Sequence, residues 1–288
     1  MTLSTTALAI QRPQMGANAR RYLSAFRTPR GIVATVIIVG LTLLGFLAPL
    51  IFPGGYDEQT GDTLQGISWA HPFGTDELGR DIFVRSVYGL RTDLALVYIA
   101  VPITMVLGSA IGFAGAISRP IGNMLQRVLD IIIGFPSLIL GISVVLVLGS
   151  GFGGLLLSII IIGLPTFGRL ARQTMLAQQQ REYVTAARTL GISKSVVMVR
   201  HILPNAVDPL IVQGAVFVVQ AVFLEAALSI VGLGIQPPEP SLGALLDAGM
   251  RYINQSPTYI VGPILILLLL AFGFSLLTDA LNKTVNRA

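Results

Sequence analysis

Residues 131–168 read IIIGFPSLILGISVVLVLGSGFGGLLLSIIIIGLPTFG, 38 residues without one ionisable side chain. A helix needs about 20 apolar residues to cross the hydrocarbon of a bilayer, so this run is too long for a single crossing. The stretch Gly149-Ser150-Gly151-Phe152-Gly153-Gly154 in its middle is typical of a tight reversal. The run therefore predicts two transmembrane helices joined by a glycine-rich turn. Gly134, Phe135 and Pro136 are expected to kink or break the first of them.

The composition of the whole chain agrees with a membrane protein. Its 288 residues are 53% hydrophobic and only 11% charged, and the mean hydropathy is +0.77. A soluble domain carries about 25% charged residues to cover its wet surface. The absence of cysteine excludes disulfides and thiol chemistry, and the two histidines, His71 and His201, lie far apart in the sequence. We therefore expect an integral membrane protein with no catalytic residue, no metal site and no cofactor.

Four further apolar runs are long enough to cross a bilayer, which brings the predicted number of transmembrane helices to about six. They are residues 31–52, 94–117, 209–235 and 260–278. The predicted fold class is an all-α integral membrane protein. The predicted segments are a cytoplasmic lead (1–30), a first span (31–52), an extracytoplasmic segment (53–93), a core transmembrane domain (94–281) that contains a cytoplasmic loop (169–208), and a cytoplasmic tail (282–288).

The lysines and arginines predict the orientation. With a cytoplasmic N-terminus, 15 of the 19 basic residues fall in cytoplasmic segments and 4 in extracytoplasmic ones, as the positive-inside rule requires. The cytoplasmic segments in this count are 1–30, 118–130, 169–208 and 279–288, and the extracytoplasmic ones are 53–93 and 236–259. Both termini are thus expected in the cytoplasm. Because this asymmetry accounts for the positive charge, no nucleic-acid partner is expected.

The loop between the fourth and fifth spans has the pattern of two short helices. Residues 181–190 form a good helical sequence, and Gly191 follows where a left-handed C-cap belongs. Ser193 can cap a second helix, which Pro204 is expected to end. We call residues 181–204 the elbow. A simple connector does not need two capped helices, so this shape favours a docking element.

Three features of the elbow carry a family resemblance: Ala186-Ala187, then Gly191, then Ile202-Leu203-Pro204. The pattern resembles the cytoplasmic EAA loop of permease subunits in ATP-binding-cassette (ABC) importers, where the loop forms a coupling helix seated on the ATP-binding subunit. Thr185 stands where that family usually has glutamate, and Glu182 lies three residues earlier. The resemblance implies that the following residues couple the chain to the ATP-binding subunit: Glu182, Tyr183, Ala186, Ala187, Gly191, Ser193, Lys194, Ile202 and Pro204.

A second stretch, Phe73-Gly74-Thr75-Asp76-Glu77-Leu78-Gly79-Arg80-Asp81, is similar to a signature of the second permease subunit in dipeptide, oligopeptide and nickel importers. Residues 225–234 and 236–243 match the same subunits, except that Leu242 replaces their usual tryptophan. The resemblance covers the chain from about residue 30 to its end. It implies the ABC permease fold and four kinds of partner: a second homologous permease, two ATP-binding subunits, an extracytoplasmic substrate-binding protein and the lipid bilayer of the cell membrane.

The motif around residue 76 has two interpretations. Asp76, Glu77, Arg80 and Asp81 can form a local ion-pair cluster within a folded cap, or they can contact the substrate-delivery protein. Phe73, Gly74 and Gly79 complete the candidate extracytoplasmic site.

Glu225 is the one acid deep inside a predicted span. A charge there costs about 3 kcal/mol on insertion scales, so Glu225 is expected to face protein or water. It can line the substrate path, pair with the partner subunit, or be satisfied inside its own bundle in a structural or gating role.

The function that the resemblance implies is half of the translocation path of an ATP-driven importer for dipeptides or oligopeptides, with nickel, glutathione or oligosaccharides as alternative cargo. The P-loop requires Gly-Lys before Ser or Thr, and the only two lysines, Lys194 and Lys283, follow Ser193 and Asn282. ATP hydrolysis is therefore expected on another chain.

An ion-driven secondary transporter would need more intramembrane ion sites or repeated halves. An intramembrane hydrolase would need a positioned base, and no predicted span contains histidine or lysine.

Overall fold

The computed structural model of the protein describes residues 22–285, and helices dominate this range. The described chain contains no β-strand, only isolated bridges between Gln59 and Arg80 and between Thr75 and Asp81. Most of the predicted cytoplasmic lead and the last three residues of the tail lie outside the described residues. In chain order the α-helices with bounds in the described range are α1 (Pro29–Phe46), α2 (Ala48–Ile51), α3 (Ile82–Ile117), α4 (Arg119–Ile133), α5 (Ser137–Leu148), α6 (Phe152–Gln179), α7 (Glu182–Thr189), α8 (Lys194–Val197), α9 (Leu203–Ala206), α10 (Asp208–Ile230), α11 (Leu242–Arg251) and α12 (Val261–Val285).

Five helical stretches in the described range are long and apolar enough to cross a membrane. They are Pro29–Phe46, Ile82–Ile117, Phe152–Gln179, Ser195–Ile230 and Pro257–Thr284. The pair α4–α5 passes the same test only when its two helices are taken together, which raises the number to six. The all-α membrane fold is confirmed, and the predicted count of about six falls within this range.

The break between α4 and α5 lies at the predicted Gly134-Phe135-Pro136 sequence. The two helices meet at 94°, so the third predicted span is a bent pair and not one straight helix. Proline disfavours a helix interior, because it lacks the N–H and its ring clashes with the preceding turn, but it is tolerated where a helix begins. Pro136 accordingly stands as the N-cap of α5. The predicted reversal is present as well, since Gly149 and Gly151 between α5 and α6 have φ of +94° and +103°.

Helix α3 begins twelve residues before the apolar run that predicted it. Its N-cap is Asp81, whose Oδ1 accepts hydrogen bonds from the backbone N–H groups of Phe83 (2.7 Å) and Val84 (3.1 Å). At 1.5 Å per residue, 36 residues make a helix of about 54 Å, well beyond the roughly 30 Å of hydrocarbon. The last part of the segment 53–93 is therefore a helical continuation of the second span.

The centre of the bundle is the contact between α3 and α6, the most extensive helix pairing in the described chain. Gly112 makes it possible, because a Cβ atom there would lie 2.2 Å from the carbonyl oxygen of Gly168. A Cβ at Gly108 would lie 2.8 Å from the Cβ of Phe167. In a bilayer apolar burial does not drive helices together, because the lipid is apolar as well. Association then depends on close packing, and small residues let the two backbones approach this closely. Helices α10 and α12 pack on this pair and complete the core.

Candidate functional site

The first candidate region, the elbow, begins with α7. Its inner side is apolar: Val184 and Ala187 are buried with Met175, Val197 and Ile202 in a small separate core. The N–H of Gly191 donates to the carbonyl of Arg188 (3.0 Å), and that of Ile192 donates to the carbonyl of Ala187 (3.2 Å). Together with the φ of +77° at Gly191, this is the Schellman motif that the glycine predicted. The elbow is therefore a folded unit with a defined bend.

The second half of the elbow differs from the prediction, because Pro204 does not end a helix. A π-helical turn, Met198–Ile202, connects α8 to α9, and Pro204 lies in the first turn of α9. A proline needs no N–H partner in a first turn, and the wider π-turn gives its ring room that a regular turn lacks. Residues Ser195–Ile230 consequently pass as one helical stretch from the elbow into α10.

Tyr183 links the two halves of the elbow. Its hydroxyl donates to Oε1 of Gln178 at the end of α6 (2.9 Å) and lies 3.4 Å from the carbonyl oxygen of His201 in the π-turn, a second acceptor for the same hydrogen. Partial burial raises the pKa of the Tyr183 hydroxyl above its ordinary value, so it remains a donor at neutral pH. Tyr183 therefore ties α7 to both flanking elements.

The predicted coupling residues divide into two groups. Ala187 and Ile202 are buried and hold the elbow together, whereas Glu182, Ala186, Gly191 and Ser193 are exposed. Three exposed apolar side chains were not predicted: Leu190 (68% exposed), Val196 (42%) and Val199 (65%). A shallow cavity of about 490 Å³ is lined by Ser195, Val196, Val199 and Arg200. The sequence shows three aliphatic residues in a polar loop, but it does not show that they are exposed, because that depends on which face of the elbow is buried.

At the opposite end of the bundle, residues 53–81 form a folded segment that we call the cap. Its centre is Arg80, which is 7% exposed. The guanidinium donates through Nε to Oδ2 of Asp76 (2.7 Å) and through Nη1 to Oδ1 of Asp57 (3.0 Å), with Glu77 at 3.5 Å. Asp76 is fully buried, and its Oδ1 accepts from the backbone N–H groups of Leu78 and Arg80 (both 2.9 Å). Buried charges persist only when they are paired in this way.

The cap is continuous with the helices beneath it. Arg85 of α3 is buried and places Nε 3.4 Å from Oδ2 of Asp76, so the ion cluster extends into the helix. Asp81 stands apart from this cluster and contacts Nδ1 of His71 at 2.7 Å while it caps α3. The hydroxyl of Tyr259, just before α12, donates to Oε2 of Glu77 (3.2 Å).

The other motif residues of the cap have packing or turn positions. Phe73 lies against Gly262, where a Cβ would be 2.1 Å from its ring. Gly74 and Gly79 have φ of +85° and +74°. The structure thus brings together Asp76, Glu77 and Arg80 of the predicted site and adds Asp57, Arg85 and Tyr259.

The third region surrounds Glu225 in α10, which is completely buried. Its Oε1 accepts a hydrogen bond from Oγ of Ser229 (2.7 Å). A second buried acid, Asp93 of α3, lies close enough that a negative charge on Glu225 disfavours one on Asp93. Asp93 was not predicted, because it stands directly before the apolar run 94–117 and reads as the end of a polar segment. The membrane helices therefore contain two buried acids and not one.

No three His, Cys, Asp or Glu side chains converge within the range 22–285 in a way that could hold a metal ion.

Comparison with known proteins identifies the family. The family model described as "Binding-protein-dependent transport system inner membrane component" matches residues 87–287. A dipeptide transport system permease protein, DppC, of Alkalihalophilus pseudofirmus is 35% identical over 88% of this chain and 84% of its own. A glutathione transport system permease protein, GsiD, of Pectobacterium atrosepticum is 32% identical over 93% and 89%. A di/tripeptide DppC of Pseudomonas aeruginosa is 33% identical over 89% and 86%.

Among solved structures, the inward-facing MetNI methionine ABC transporter has a chain that matches with a TM-score of 0.57. Its sequence identity is 18%, and the match covers 70% of this chain and 95% of that one, which establishes a shared fold. The predicted resemblance is confirmed, and the chain belongs to the inner membrane components of binding-protein-dependent transport systems.

Proposed function

We propose that this chain is a permease subunit of an ATP-driven importer and forms half of a translocation path for dipeptides or similarly short peptides. The observation that carries the proposal is the similarity, over 88% of this chain, to a permease of a dipeptide transport system. Relatives named for glutathione transport match almost as well, and glutathione is itself a short peptide. The shared cargo class is therefore a small peptide with free charged groups.

The proposed location is the inner or plasma membrane, with several crossings and both termini in the cytoplasm. The 15 to 4 distribution of basic residues supports this orientation. In the proposed orientation the elbow lies on the cytoplasmic side and the cap on the outer side, at opposite ends of the membrane helices.

The proposed site of coupling to ATP hydrolysis is the elbow. Its outer surface presents Leu190, Val196 and Val199 to solvent, and aliphatic side chains of this size favour a protein partner over water. The remaining exposed motif residues, from Glu182 to Ser193, lie on the same short unit. Lys194 and Pro204 complete the proposed set as positions in the motif.

The geometry suits a lever. Because α8, the π-turn, α9 and α10 follow one another in the helical stretch Ser195–Ile230, a displacement of α8 would be passed on to α10 and the buried carboxyl of Glu225. Closure of two ATP-binding subunits against the elbow would tilt α10 against α3 and switch access to the path. Such a switch moves cargo only if the cargo binds the two states with different affinity.

The proposed assembly contains a second homologous permease, two ATP-binding subunits and an outer substrate-binding protein. The family description, with its reference to a binding protein, supports the last of these. In the chain itself neither lysine lies in a P-loop sequence, which supports hydrolysis on separate subunits. The binding protein would dock on the outer side, against the cap.

Uptake into proteoliposomes tests the proposal. The chain is reconstituted with its partner permease, both ATP-binding subunits and the binding protein, with ATP on the elbow side and a radiolabelled dipeptide on the cap side. We expect uptake that requires ATP and the binding protein, and that unlabelled dipeptide suppresses. Parallel arms with glutathione, Ni²⁺ and an oligosaccharide identify the cargo. Uptake driven by an ion gradient without the ATP-binding subunits would show a secondary transporter and refute the proposal.

A further inference from the structure

The N-terminus of α11 is wedged between α3 and α10 beside the two buried acids. A Cβ atom at Gly89 of α3 would lie 2.9 Å from the carbonyl carbon of Ser241, so the chain passes directly against that helix. On the other side, a Cβ at Gly243 would lie 2.8 Å from the Cα of Ala226 in α10. Three helices therefore meet at this point with no room for a larger residue.

Each buried acid has one satisfied oxygen and one orphaned oxygen. Oδ2 of Asp93 accepts the backbone N–H of Leu242 (3.1 Å), and Oδ1 has no hydrogen-bond partner. Oε1 of Glu225 accepts the Ser229 hydroxyl, and Oε2 has no partner. Asp93 is 1% exposed and Glu225 is 0% exposed, so bulk solvent does not reach these atoms. An orphaned buried oxygen costs about 1–3 kcal/mol, and more when it is charged.

Within the described range, the two acids form no ion pair with a cation. None of the ion pairs found between residues 22 and 285 includes Asp93 or Glu225. The charged group that faces Asp93 is Glu225, and the polar groups that face Glu225 are the hydroxyls of Ser229 and Ser241. Two facing carboxylates in a dry site cannot both ionise without a large penalty. A proton or a cation between them would remove this penalty.

We propose that Asp93 and Glu225 bind one proton between them, carried on Oε2 of Glu225 and donated to Oδ1 of Asp93, directly or through one water molecule. These are the two orphaned oxygens, so a single proton removes both deficits. The N–H group and helix dipole at the N-terminus of α11 favour the negative charge on Asp93 and so the proton on Glu225. A metal ion fits less well, since Ca²⁺ and Mg²⁺ take about six or more oxygen ligands.

This proton joins α3, α10 and α11 at the cap side of the bundle. The role of this proton in transport rests on the proposed function: it acts as a latch that holds α10 against α3. Tilting α10 away from α3 admits water, the acids separate, Glu225 releases the proton, and the latch reforms when the helices close. A carboxyl group in water is ionised at neutral pH, so the shared proton is bound only while the helices are packed together.

Infrared spectroscopy of the purified full-length chain in lipid nanodiscs tests the inference without ATP, cargo or partner subunits. At neutral pH we expect one carboxylic-acid C=O stretching band in the wild type. The substitution Glu225→Gln should abolish it, and Asp93→Asn should shift it, since the acceptor changes. Asp130→Asn is the matched control: it removes an exposed carboxylate that pairs with Arg169 and should leave the band unchanged.

Ser229→Ala provides a milder variant if the other two do not fold. It keeps both acids and removes the hydroxyl that donates to Oε1 of Glu225, so the band should persist at higher frequency. The absence of an acid band in the wild type, or a band that none of these variants alters, would overturn the inference. Since the spectra do not involve transport, an ionised pair would leave the peptide-import proposal standing, and absent uptake would leave the proton site standing.

Discussion

Replacement of Arg80 by alanine is expected to open the cap. The substitution removes contacts to Asp76, Asp57 and Glu77 at 2.7, 3.0 and 3.5 Å and leaves a fully buried carboxylate at Asp76. Removing one partner of a buried ion pair costs about 3–5 kcal/mol, because the remaining charge stays in a poor solvent. Arg85 still lies 3.4 Å from Asp76, and two backbone N–H groups still donate to it.

The lower end of that interval, about 3 kcal/mol, is therefore the expected loss. At 1.36 kcal/mol per factor of ten, it corresponds to a roughly 150-fold increase in the population of the open cap. Hydrogen–deuterium exchange measures this population, because the backbone N–H groups of Leu64, Thr75 and Asp76 are bonded within the cap. Their protection should fall by about two orders of magnitude, while that of the α3–α6 core stays unchanged.

Arg251→Ala is the matched control for this experiment. Arg251 also contacts a carboxylate, Asp247, but its side chain is 69% exposed. Exposed ion pairs contribute about 0–1 kcal/mol, so the protection of the cap should change less than tenfold. Equal effects of the two substitutions, or unchanged protection in Arg80→Ala, would refute the view that the buried cluster holds the cap in place.

Two glycine substitutions test the packing and the elbow. Gly112→Ala should destabilise the α3–α6 contact by about 1–3 kcal/mol and lower the melting temperature, because its Cβ would lie 2.2 Å from a backbone oxygen. Gly40→Ala, with open space around it, should have no such effect. Equal melting temperatures for the two variants would contradict the packing described. Gly191→Ala should cost about 1–2 kcal/mol, because φ is +77° there although the space is open. Faster hydrogen exchange in α7 would reveal that cost, and exchange rates equal to those of the wild type would contradict it.

The sequence predicts features that depend on local chemistry. Gly191 and the Gly149–Gly154 turn were identified because positive φ strongly favours glycine, and the bend before α5 because proline disfavours a helix interior. The family was identified from motifs in which some residues have a structural role. Ala187 and Ile202, for example, lie inside the elbow.

Features that depend on tertiary contacts were not predicted. Asp93 looks like the polar end of a span, and its burial follows only from the way α11 folds back against α3. Pro204 was expected to end a helix, because proline disfavours a helix interior. That expectation was wrong because the preceding π-turn, which has no sequence signature, was not predicted. The exposed aliphatic residues of the elbow became apparent only when the structure showed which face is buried.

If ATP hydrolysis drives this permease through the elbow, then a charge introduced at Val199 should block uptake. Val199 is 65% exposed on the elbow, so a charge there is harmless to the isolated fold but would be buried against an ATP-binding subunit. In the reconstituted importer we predict that ATP-dependent dipeptide uptake is lost in Val199→Asp and retained in Val199→Leu, with equal melting temperatures for the two chains. Full uptake by Val199→Asp would contradict the account.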